Sequence, residues 1–405
     1  MTLSEELTWR GFVNQTTLKD LKQLDKAKRT FYHGYDASAN SQTIGNLAAM
    51  MFDKVFMRHG YQAIILAGGS TSLIGDPGGK YEERQLQSEA AIAQNVAAAE
   101  DQLKQVFNEH KFTLVNNLDW TKDLKVLPFL RDVGKHFSMT PLIQRDYITT
   151  RLGLGGSGIS YAEFSYTILQ GYDYLHLFDN YGTTLQLGGS DQWGNCLSGV
   201  ELIRKVRGKE VDAMTMNLVI DNATGQKFGK SEAGAIWLDP SMTSPHDFYQ
   251  FWVNVDDDSV GEYLKIYTEL DQLHIAKVMT DFEKDKPSRW AQKTLAYEVT
   301  KIVHGEDEAE KARSRAQTIT STTTTTLPPD IYISDGDIAS ALIDSGLANS
   351  KSEARKLLGS GGVYINGKQT TKERFEQSDV NNGFILLRRG KTLKNTAVIR
   401  LKLHD

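Results

Sequence analysis

Two lysines and a serine stand close together in the segment Gly225-Gln-Lys-Phe-Gly-Lys-Ser231. A glycine-containing loop of this composition suits phosphate binding, because ammonium groups neutralise the phosphate charge and the hydroxyl donates a hydrogen bond. A Walker P-loop has four residues between its first glycine and Gly-Lys-Ser, whereas three stand there in this chain. The spacing disfavours a P-loop kinase or GTPase. Taken alone, the segment is also compatible with a solvated surface loop.

A second phosphate signal is the tetrapeptide Thr43-Ile-Gly-Asn46, which begins a predicted helix directly after a predicted strand. The N-terminus of a helix carries free N–H groups and the positive end of the helix dipole. We therefore expect a phosphate group to lie at this helix start.

The order and separation of these two segments resemble the two signature motifs of the class I aminoacyl-tRNA synthetases. Five further segments resemble bacterial tyrosyl-tRNA synthetases, in the family order and over essentially the whole chain. They are Tyr32-His-Gly-Tyr-Asp36, Gly75-Asp-Pro-Gly-Gly-Lys80 with Arg84, Val115-Asn-Asn-Leu-Asp-Trp120, Tyr166-Thr-Ile-Leu-Gln-Gly-Tyr-Asp173 and Gln186-Leu-Gly-Gly-Ser-Asp-Gln-Trp-Gly-Asn195.

The resemblance implies a pocket for tyrosine. In it Tyr32 and Asp173 reach the substrate phenol, one donating and one accepting a hydrogen bond. The ammonium group is taken by Tyr166, Gln170 and Asp76, and the tyrosine site also includes Asn117 and Gln186. Without the resemblance, the two tyrosines would be read as ordinary aromatic core. A carboxylate such as Asp173 on a mostly apolar helix needs a partner in any case.

The resemblance also implies an ATP site. Its residues are Gly34, Asp36, Gly45, Gly189, Asp191, Gln192 and Lys230. Glycine permits close approach of the backbone to a nucleotide, and an aspartate suits the ribose hydroxyls. Any one of these glycines, taken singly, is equally explained by a turn.

In the implied reaction the tyrosine carboxylate attacks the α-phosphate of ATP and expels pyrophosphate. No side-chain nucleophile or general base is needed, so catalysis consists of positioning and charge stabilisation. The candidate catalytic residues are Thr43, Asn46, Lys80, Arg84, Lys227, Lys230 and Ser231. We expect no protein-bound cofactor, and Mg²⁺ would arrive with ATP.

One departure from the family lies in the first signature, where Thr43 and Asn46 replace the usual histidines. Both keep a hydrogen-bond donor but lose a possible positive charge. His33 on the preceding strand could compensate for this loss, or it could be a structural residue.

The elements that position these residues follow from the apolar pattern. Strands at 30–36 and 61–68 flank a helix at 43–59, which makes one β-α-β unit of a parallel sheet. Helices are also predicted at 88–110 and 162–180. We expect an α/β fold with a Rossmann-like parallel-sheet catalytic domain over 1–239. The resemblance places a dimer-interface insertion at about 110–165.

The second half of the chain predicts three further segments. A helical anticodon-side domain is expected at 240–316, with Trp252, Tyr263, Leu264 and Tyr267 on a buried face, and a Thr/Pro linker at 317–330. Residues 331–405 predict a small α+β module with helices at 338–347 and 352–358 and a hairpin turn at Asn366-Gly367. It resembles the alpha-L RNA-binding domain shared with a ribosomal protein.

Composition sets the broad class. The chain has 405 residues, 40% hydrophobic and 24% charged, which predicts two or three domains with sizeable cores. The acidic start does not resemble a signal peptide and no apolar run is long enough to span a bilayer, so we expect a cytoplasmic protein without a membrane partner. The single Cys196 and the scattered histidines predict neither a disulfide framework nor a bound metal.

The net charge of −5 conceals a basic C-terminal region. Residues 331–405 contain 12 Lys and Arg against 8 Asp and Glu, a net charge of +4. Within it Lys351, Arg355 and Lys356 lie on one helical segment, where they predict an RNA-backbone contact or, alternatively, a solvated face. The implied partner is the tRNA specific for tyrosine rather than DNA.

The leading interpretation is therefore an ATP-dependent enzyme that joins tyrosine to its tRNA and works as a symmetric homodimer. One alternative is the tryptophan enzyme of the same fold, which Tyr32 and Asp173 disfavour because an indole offers only a donor. The other alternative is a catalytically inactive RNA-binding paralogue. Thr43 favours it, whereas Lys227, Lys230 and Asp191 oppose it.

Overall fold

The computed structural model describes residues 1–76, 87–108, 110–144, 146–220, 228, 230–231, 234–320, 331–333, 336–380, 384–390 and 396–401. Contacts divide the chain into two compact units. The first comprises Met1–Ser244 and Val253–Gly305, and the second comprises Pro245–Trp252 and Glu306–Asp405.

The strands of the first unit are β1 (Val13–Thr16), β2 (Thr30–Asp36), β3 (Gln62–Gly68), β4 (Phe112–Asn116), β5 (Thr183–Gly189), β6 (Asp212–Met216), β7 (Lys230–Ser231) and β8 (Gly234–Ala235). Its helices are α1 (Leu3–Arg10), α2 (Gln23–Lys26), α3 (Ile44–Arg58), α4 (Gly69–Ile74), α5 (Glu89–Val106), α6 (Leu118–Thr121), α7 (Val126–Asp132), α8 (Met139–Ile143), α9 (Asp146–Leu152), α10 (Tyr161–Tyr181) and α11 (Trp193–Arg207). Helix α12 (Pro245–Val253) is divided between the units, and α13 (Val260–Tyr267), α14 (Gln272–Lys284) and α15 (Trp290–His304) complete the first.

Six strands form the main sheet in the order β1-β6-β5-β2-β3-β4. All neighbours are parallel except β1, which runs antiparallel to β6 at the edge. From β2 the chain proceeds outward to β3 and β4 on one side, and later to β5 and β6 on the other. The strand order therefore reverses between β2 and β5, and ligands of open α/β sheets bind beyond the carboxyl ends of the strands at such a point.

The predicted α/β fold with a Rossmann-like parallel sheet is confirmed. The strand expected at 30–36 is β2, and the strand and helix expected at 61–68 and 43–59 are β3 and α3 to within one residue at each end. The long helices expected at 88–110 and 162–180 are α5, which ends four residues earlier, and α10. Both strands are buried on both faces and α3 is buried over most of its surface, so apolar runs locate these three elements well.

A network of charged side chains holds the C-terminal end of α3. Glu6 accepts hydrogen bonds from Arg10, Arg58 and His59 at 2.6–2.7 Å. Burial alone would raise the pKa of Glu6, but the hydrogen bonds from His59 and Arg10 and the charge of Arg58 outweigh it and lower the pKa to about 2. Arg10 also donates to the carbonyl of Thr268 at the end of α13. These contacts join α1, α3 and α13.

The region between β4 and α10 consists of short helices with many apolar side chains on the surface. A buried ion pair, Arg151 with Glu163, joins α9 to the first turn of α10 through two 2.8 Å bonds. Large exposed apolar side chains in this region are Val126, Leu127, Leu130, Met139, Ile143, Leu152, Leu154 and Tyr161. Monomeric proteins rarely expose so many in one stretch.

The helical residues predicted as one domain at 240–316 are divided between the two units, which separate at 244/245, 252/253 and 305/306. The side chains expected on a buried face, those of Trp252, Tyr263, Leu264 and Tyr267, are all buried. The functional division into an anticodon-side domain stays a prediction.

The second unit contains α16 (Glu306–Thr320), α17 (Ile338–Asp344) and α18 (Lys351–Gly359) with the strands β9 (Ile331–Ile333), β10 (Val363–Ile365), β11 (Lys368–Thr370), β12 (Ile385–Arg389) and β13 (Thr396–Leu401). The strands form one sheet in the order β11-β10-β12-β13-β9, antiparallel except between β13 and β9. Asn366 and Gly367 join β10 to β11 with positive φ at both residues, as the predicted hairpin requires.

Of the predicted linker at 317–330, residues 317–320 belong to α16. Its remaining residues, 321–330, lie outside the described part of the chain. In the described ranges, no helix is both long enough and apolar enough to cross a bilayer.

Candidate functional site

A cavity of about 390 Å³ opens at the reversal point of the main sheet, beyond the carboxyl ends of β2 and β5. Its walls come from β2, α3, α10, β5 and the turn after β5. Most of the residues predicted for the two substrates line it. They are Tyr32, Gly34, Asp36, Thr43, Gly45, Asn46, Asp76, Tyr166, Gln170, Asp173, Gln186, Gly189, Asp191 and Gln192.

Asp173 on α10 is buried at one end of this cavity. Its two carboxylate oxygens accept hydrogen bonds from Asn117 at 3.0 Å and from the indole of Trp120 at 2.8 Å. Burial raises the pKa of Asp173 to about 7, while these two hydrogen bonds act in the opposite direction and the nearby Asp36 adds to the rise. A carboxyl group with this pKa changes its protonation state near neutral pH.

Three buried polar atoms beside Asp173 have no hydrogen-bond partner among the described residues: the hydroxyl of Tyr32 and the amide oxygens of Gln170 and Gln186. Burial, and then the thiol of Cys196, raise the pKa of Tyr32 well above its ordinary value, so the hydroxyl keeps its proton. A buried polar group without a partner costs about 1–3 kcal/mol. A ligand with matching polar groups would remove that cost.

A second group of polar side chains lies at the ends of β2 and α4. Asp36 accepts from Thr71 at 2.7 Å and from the hydroxyl of Tyr166 at 2.8 Å. Asp76 accepts from the amide of Gln192 at 2.6 Å. These carboxylates and the neighbouring amide oxygens form an acceptor-rich wall that suits a cationic ammonium group.

The start of α3 forms another wall of the cavity. Asn46 accepts from both the backbone N–H and the hydroxyl of Thr43, at 3.0 and 2.9 Å. The Ile44 N–H donates to the carbonyl of Ile236, just after β8, at 3.1 Å. Phe228 and Ala235, on either side of β7, also line the cavity. The two predicted signature segments therefore border the same space.

Five of the predicted catalytic side chains belong to the two lysine-containing segments. Lys80, Arg84 and Lys227 lie outside the described residues, and for Lys230 and Ser231 only the backbone is described, as strand β7 paired with β8. Across the described ranges, no three His, Cys, Asp or Glu side chains converge in a way that could hold a metal ion.

Comparison with protein families matches residues 24–321 to the class I tRNA synthetases (W and Y). This match spans the whole main sheet except β1, together with the cavity. The chain belongs to the class I tRNA synthetase family. Residues 322–396 match a second family, described as a tyrosine–tRNA ligase SYY-like C-terminal domain.

Bacterial relatives of this synthetase are similar over nearly their full length. A tyrosine–tRNA ligase of Listeria monocytogenes is 40% identical over 413 residues, which cover 96% of this chain and 98% of the relative. A tyrosine–tRNA ligase of Roseiflexus castenholzii is 41% identical over 417 residues, covering 96% and 97%.

Solved structures show the same fold. The truncated mitochondrial tyrosyl-tRNA synthetase of Aspergillus nidulans superposes with a TM-score of 0.71 at 30% identity, covering 78% of this chain and 94% of that one. A tryptophanyl-tRNA synthetase of Encephalitozoon cuniculi superposes with a TM-score of 0.55 at 14% identity, covering 77% and 89%. The fold alone therefore does not separate tyrosine from tryptophan enzymes.

The structure brings together one predicted residue that does not line the cavity and three residues that were not predicted. Asn117, expected to touch tyrosine, is fully buried behind the cavity wall and donates to Asp173, and its part in binding tyrosine stays a prediction. Trp120, Thr71 and Gly68 were not predicted. Trp120 ends the segment at 115–120 that resembles the family, whereas nothing in the sequence indicated a role for Thr71 or Gly68. A side chain at Gly68 would come within 2.5 Å of the Thr71 hydroxyl, so the contact between Asp36 and Thr71 requires glycine there.

The three basic residues predicted to bind RNA lie on α18 in the second unit. Ala354 and Leu358 on the inner face of this helix are buried, whereas Lys351, Arg355 and Lys356 are exposed on its other side. Amphipathic folding thus presents all three cations to solvent.

The raised pKa of Asp173 predicts a pH-dependent affinity for tyrosine. The carboxylate form accepts a hydrogen bond from a phenol, and it is lost as the pH falls through about 7. Between pH 8 and pH 6 the Kd for L-tyrosine should rise by about tenfold, because the Kd varies inversely with the ionised fraction of Asp173. Titration calorimetry across this range measures the change.

The matched control is Asp173→Asn, which keeps the shape and cannot ionise. Its affinity should be weaker than that of the unaltered protein at pH 8 and constant from pH 6 to 8. A flat profile in the unaltered protein, or the same slope in both proteins, would show that Asp173 does not titrate against the ligand.

Proposed function

We propose that the chain is a tyrosine–tRNA ligase. It activates L-tyrosine with ATP to tyrosyl-adenylate, releases diphosphate, and transfers the tyrosyl group to the 3′ end of the tRNA for tyrosine. The observation that carries the proposal is that the Tyr32 hydroxyl and the Asp173 carboxylate are both buried and both line the cavity of a class I tRNA synthetase fold. The similarity to bacterial tyrosine–tRNA ligases supports it.

The polar pair favours a phenol over an indole. A phenolic hydroxyl both donates and accepts, so it would give its proton to the Asp173 carboxylate and accept from the otherwise unpartnered hydroxyl of Tyr32. An indole N–H only donates and would leave one of the two groups unsatisfied. Phenylalanine would leave both unsatisfied, which is costly in a buried site.

The amino-acid end of tyrosine would meet the acceptor-rich wall. Tyr166, Gln170 and Asp76 would bind its ammonium group, with Gln186 beside them. Asp36 accepts a 2.8 Å hydrogen bond from the Tyr166 hydroxyl, which keeps the ring of Tyr166 in one orientation. The substrate carboxylate would then face the nucleotide portion of the cavity.

In the proposed nucleotide site, Gly34, Asp36, Gly45, Gly189, Asp191 and Gln192 contact ATP. Thr43 and Asn46 stand at the helix start, where N–H groups favour a phosphate. Lys80, Arg84, Lys227, Lys230 and Ser231 would stabilise the leaving pyrophosphate. Mg²⁺ would enter bound to ATP as part of the substrate.

Catalysis then requires positioning rather than a side-chain nucleophile. A carboxylate oxygen of tyrosine forms a bond to the α-phosphorus, the bond to the β-phosphate oxygen breaks, and pyrophosphate carries away the electron pair. No proton has to move in this step. The chain's contribution is to hold the two reactants together and to balance the charge of the leaving group.

We further propose that the chain forms a symmetric homodimer in the cytoplasm through the region at 110–165. An apolar groove of about 370 Å³ lies here, lined by α4, α6, α7 and α10. Val126 and Leu127 beside it are 70% and 79% exposed. A second copy would cover this surface in an isologous interface, since each copy presents the same patch.

We also propose that Lys351, Arg355 and Lys356 contact the backbone of tRNA. They are exposed on one helix of the basic region, and cations placed in this way attract nucleic acid independently of sequence.

The activation step is tested by pyrophosphate–ATP exchange with each of the twenty amino acids. Tyrosine should support exchange far above all others, and Asp173→Ala should reduce the tyrosine signal by at least tenfold because a buried acceptor is lost. Exchange with tryptophan instead would identify the alternative enzyme. Absence of exchange with every amino acid would favour an inactive RNA-binding paralogue.

The dimer is tested by sedimentation velocity of Leu127→Glu. The unaltered protein should sediment at twice the mass of one chain, and the variant at the mass of one, because a buried unpaired charge destabilises an apolar interface. The matched control is Leu273→Glu, which alters a leucine that is 81% exposed on α14. Dimers in both variants would exclude this surface.

The RNA contact is tested by combining Lys351→Ala, Arg355→Ala and Lys356→Ala. The KM for tRNA should rise by about tenfold at 150 mM salt, and the salt dependence of binding should weaken, because fewer counterions are released. Tyrosine-dependent exchange should stay unchanged. Lys372→Ala, at a lysine already paired with Glu376 at 2.8 Å, is the control. Equal tRNA affinity in the unaltered protein, the triple variant and the control would show that these three cations are only solvated.

A further inference from the structure

His33 is a basic side chain in the cavity that the reaction described above does not use. It lies on β2, is only 5% exposed, and lines the same cavity as Asp36, Gly45 and Asn46. Among the described lining residues there is no lysine or arginine, so His33 is the one basic group in that part of the wall. A histidine buried against a site for a polyanion merits a specific explanation.

The imidazole of His33 is held from behind by a carboxylate. Its Nδ1 lies 2.8 Å from Oδ1 of Asp53, a residue of α3 whose side chain is fully buried. The other oxygen of Asp53 accepts from the hydroxyl of Tyr35 at 2.6 Å. Burial, and then the charge of Asp53, raise the pKa of Tyr35 well above its ordinary value, so this hydroxyl keeps its proton and donates.

This arrangement determines which ring atom remains for a ligand. The carboxylate of Asp53 accepts from Nδ1–H, which fixes the tautomer, and the Tyr35 ring, 4.8 Å from the imidazole centre, restricts its rotation. The remaining nitrogen, Nε2, is then the atom that can bond to an occupant of the cavity. A buried carboxylate that holds one histidine nitrogen commonly orients the other for function.

The position of His33 differs from that of the first signature. Asp53 is ten residues beyond Thr43 on the same helix, about 15 Å along its axis. Ala49, one turn before Asp53, still lines the cavity. His33 therefore meets the cavity beside the middle of α3. Its place in the wall is therefore separate from that of Thr43 at the start of the same helix.

We propose that His33 forms a hydrogen bond through Nε2 to an oxygen of the bound nucleotide, and that Asp53 is a positioning residue that acts through His33. This inference rests on the proposed ligase activity. When neutral, Nε2 accepts from a ribose hydroxyl, and when protonated it donates to a phosphate oxygen. In both cases the bond anchors ATP while the tyrosine carboxylate attacks, and no proton is transferred.

The test is tyrosyl-adenylate formation by the full chain carrying His33→Ala, Asp53→Asn, or both. The unaltered protein is measured first, since its failure to activate tyrosine would overturn the ligase proposal itself. With His33→Ala, kcat/KM for ATP should fall at least tenfold, while the Kd for L-tyrosine, measured directly, stays within twofold. Preserved tyrosine affinity shows that the cavity still folds.

Asp53→Asn should lower kcat/KM for ATP by itself, and it should cause no further loss once His33 is alanine, because Asp53 acts only through the imidazole. Tyr35→Phe should give a smaller loss of the same kind. Repeating the assay with 2′-deoxy-ATP and 3′-deoxy-ATP separates the two oxygen sources: a ribose contact makes the His33→Ala effect disappear with one of these analogues, whereas a phosphate contact leaves it intact with both.

Three results would overturn the inference. The first is a kcat/KM for ATP within twofold of the unaltered protein in His33→Ala. The second is an equal loss of tyrosine affinity, which would make His33 a purely structural residue. The third is a double variant whose loss is the product of the two single losses, since Asp53 would then act independently of His33.

Discussion

The arrangement of the tyrosine end of the cavity depends on one buried carboxylate. Asp173 has no cation beside it in the described structure, and it is stabilised by N–H donors from Asn117 and Trp120. These donors come from the end of β4 and from α6, so the carboxylate on α10 depends on side chains from two other elements. Burying a carboxyl group in this way is costly, and the rise of its pKa to about 7 reports that cost.

The same polar contacts continue toward the other end of the cavity. Asn117 also donates to Thr71 at 3.2 Å, and Thr71 donates to Asp36, which holds Tyr166. A substitution at one member therefore disturbs groups that face different parts of the ligands. Through these contacts Asn117, behind the wall, supports residues that line the cavity.

The described walls of the cavity contain four aspartates and one histidine, and no lysine or arginine. Such a surface suits an ammonium group, ribose hydroxyls and a magnesium-bound nucleotide better than it suits bare phosphates. The lysines of the proposed site, Lys80, Lys227 and Lys230, are not among the side chains that the structure describes. The described walls therefore suit neutral and cationic groups, and in the proposed mechanism these lysines neutralise pyrophosphate.

The sequence by itself determined the elements and the family. Apolar periodicity located β2, α3, β3 and α10, and Asn366-Gly367 determined a hairpin, because these signals depend on short stretches of chain. The quoted motifs identified most residues that line the cavity. The tertiary structure alone decided that Asn117 lies behind the wall, that Trp120 and Thr71 take part, and that Asp53 holds His33. It also divided the helical residues 240–316 between two units. These features depend on contacts between residues that are far apart in the sequence, such as His33 with Asp53, 20 positions apart, and Asn117 with Asp173, 56 positions apart. No local pattern in the chain encodes such contacts.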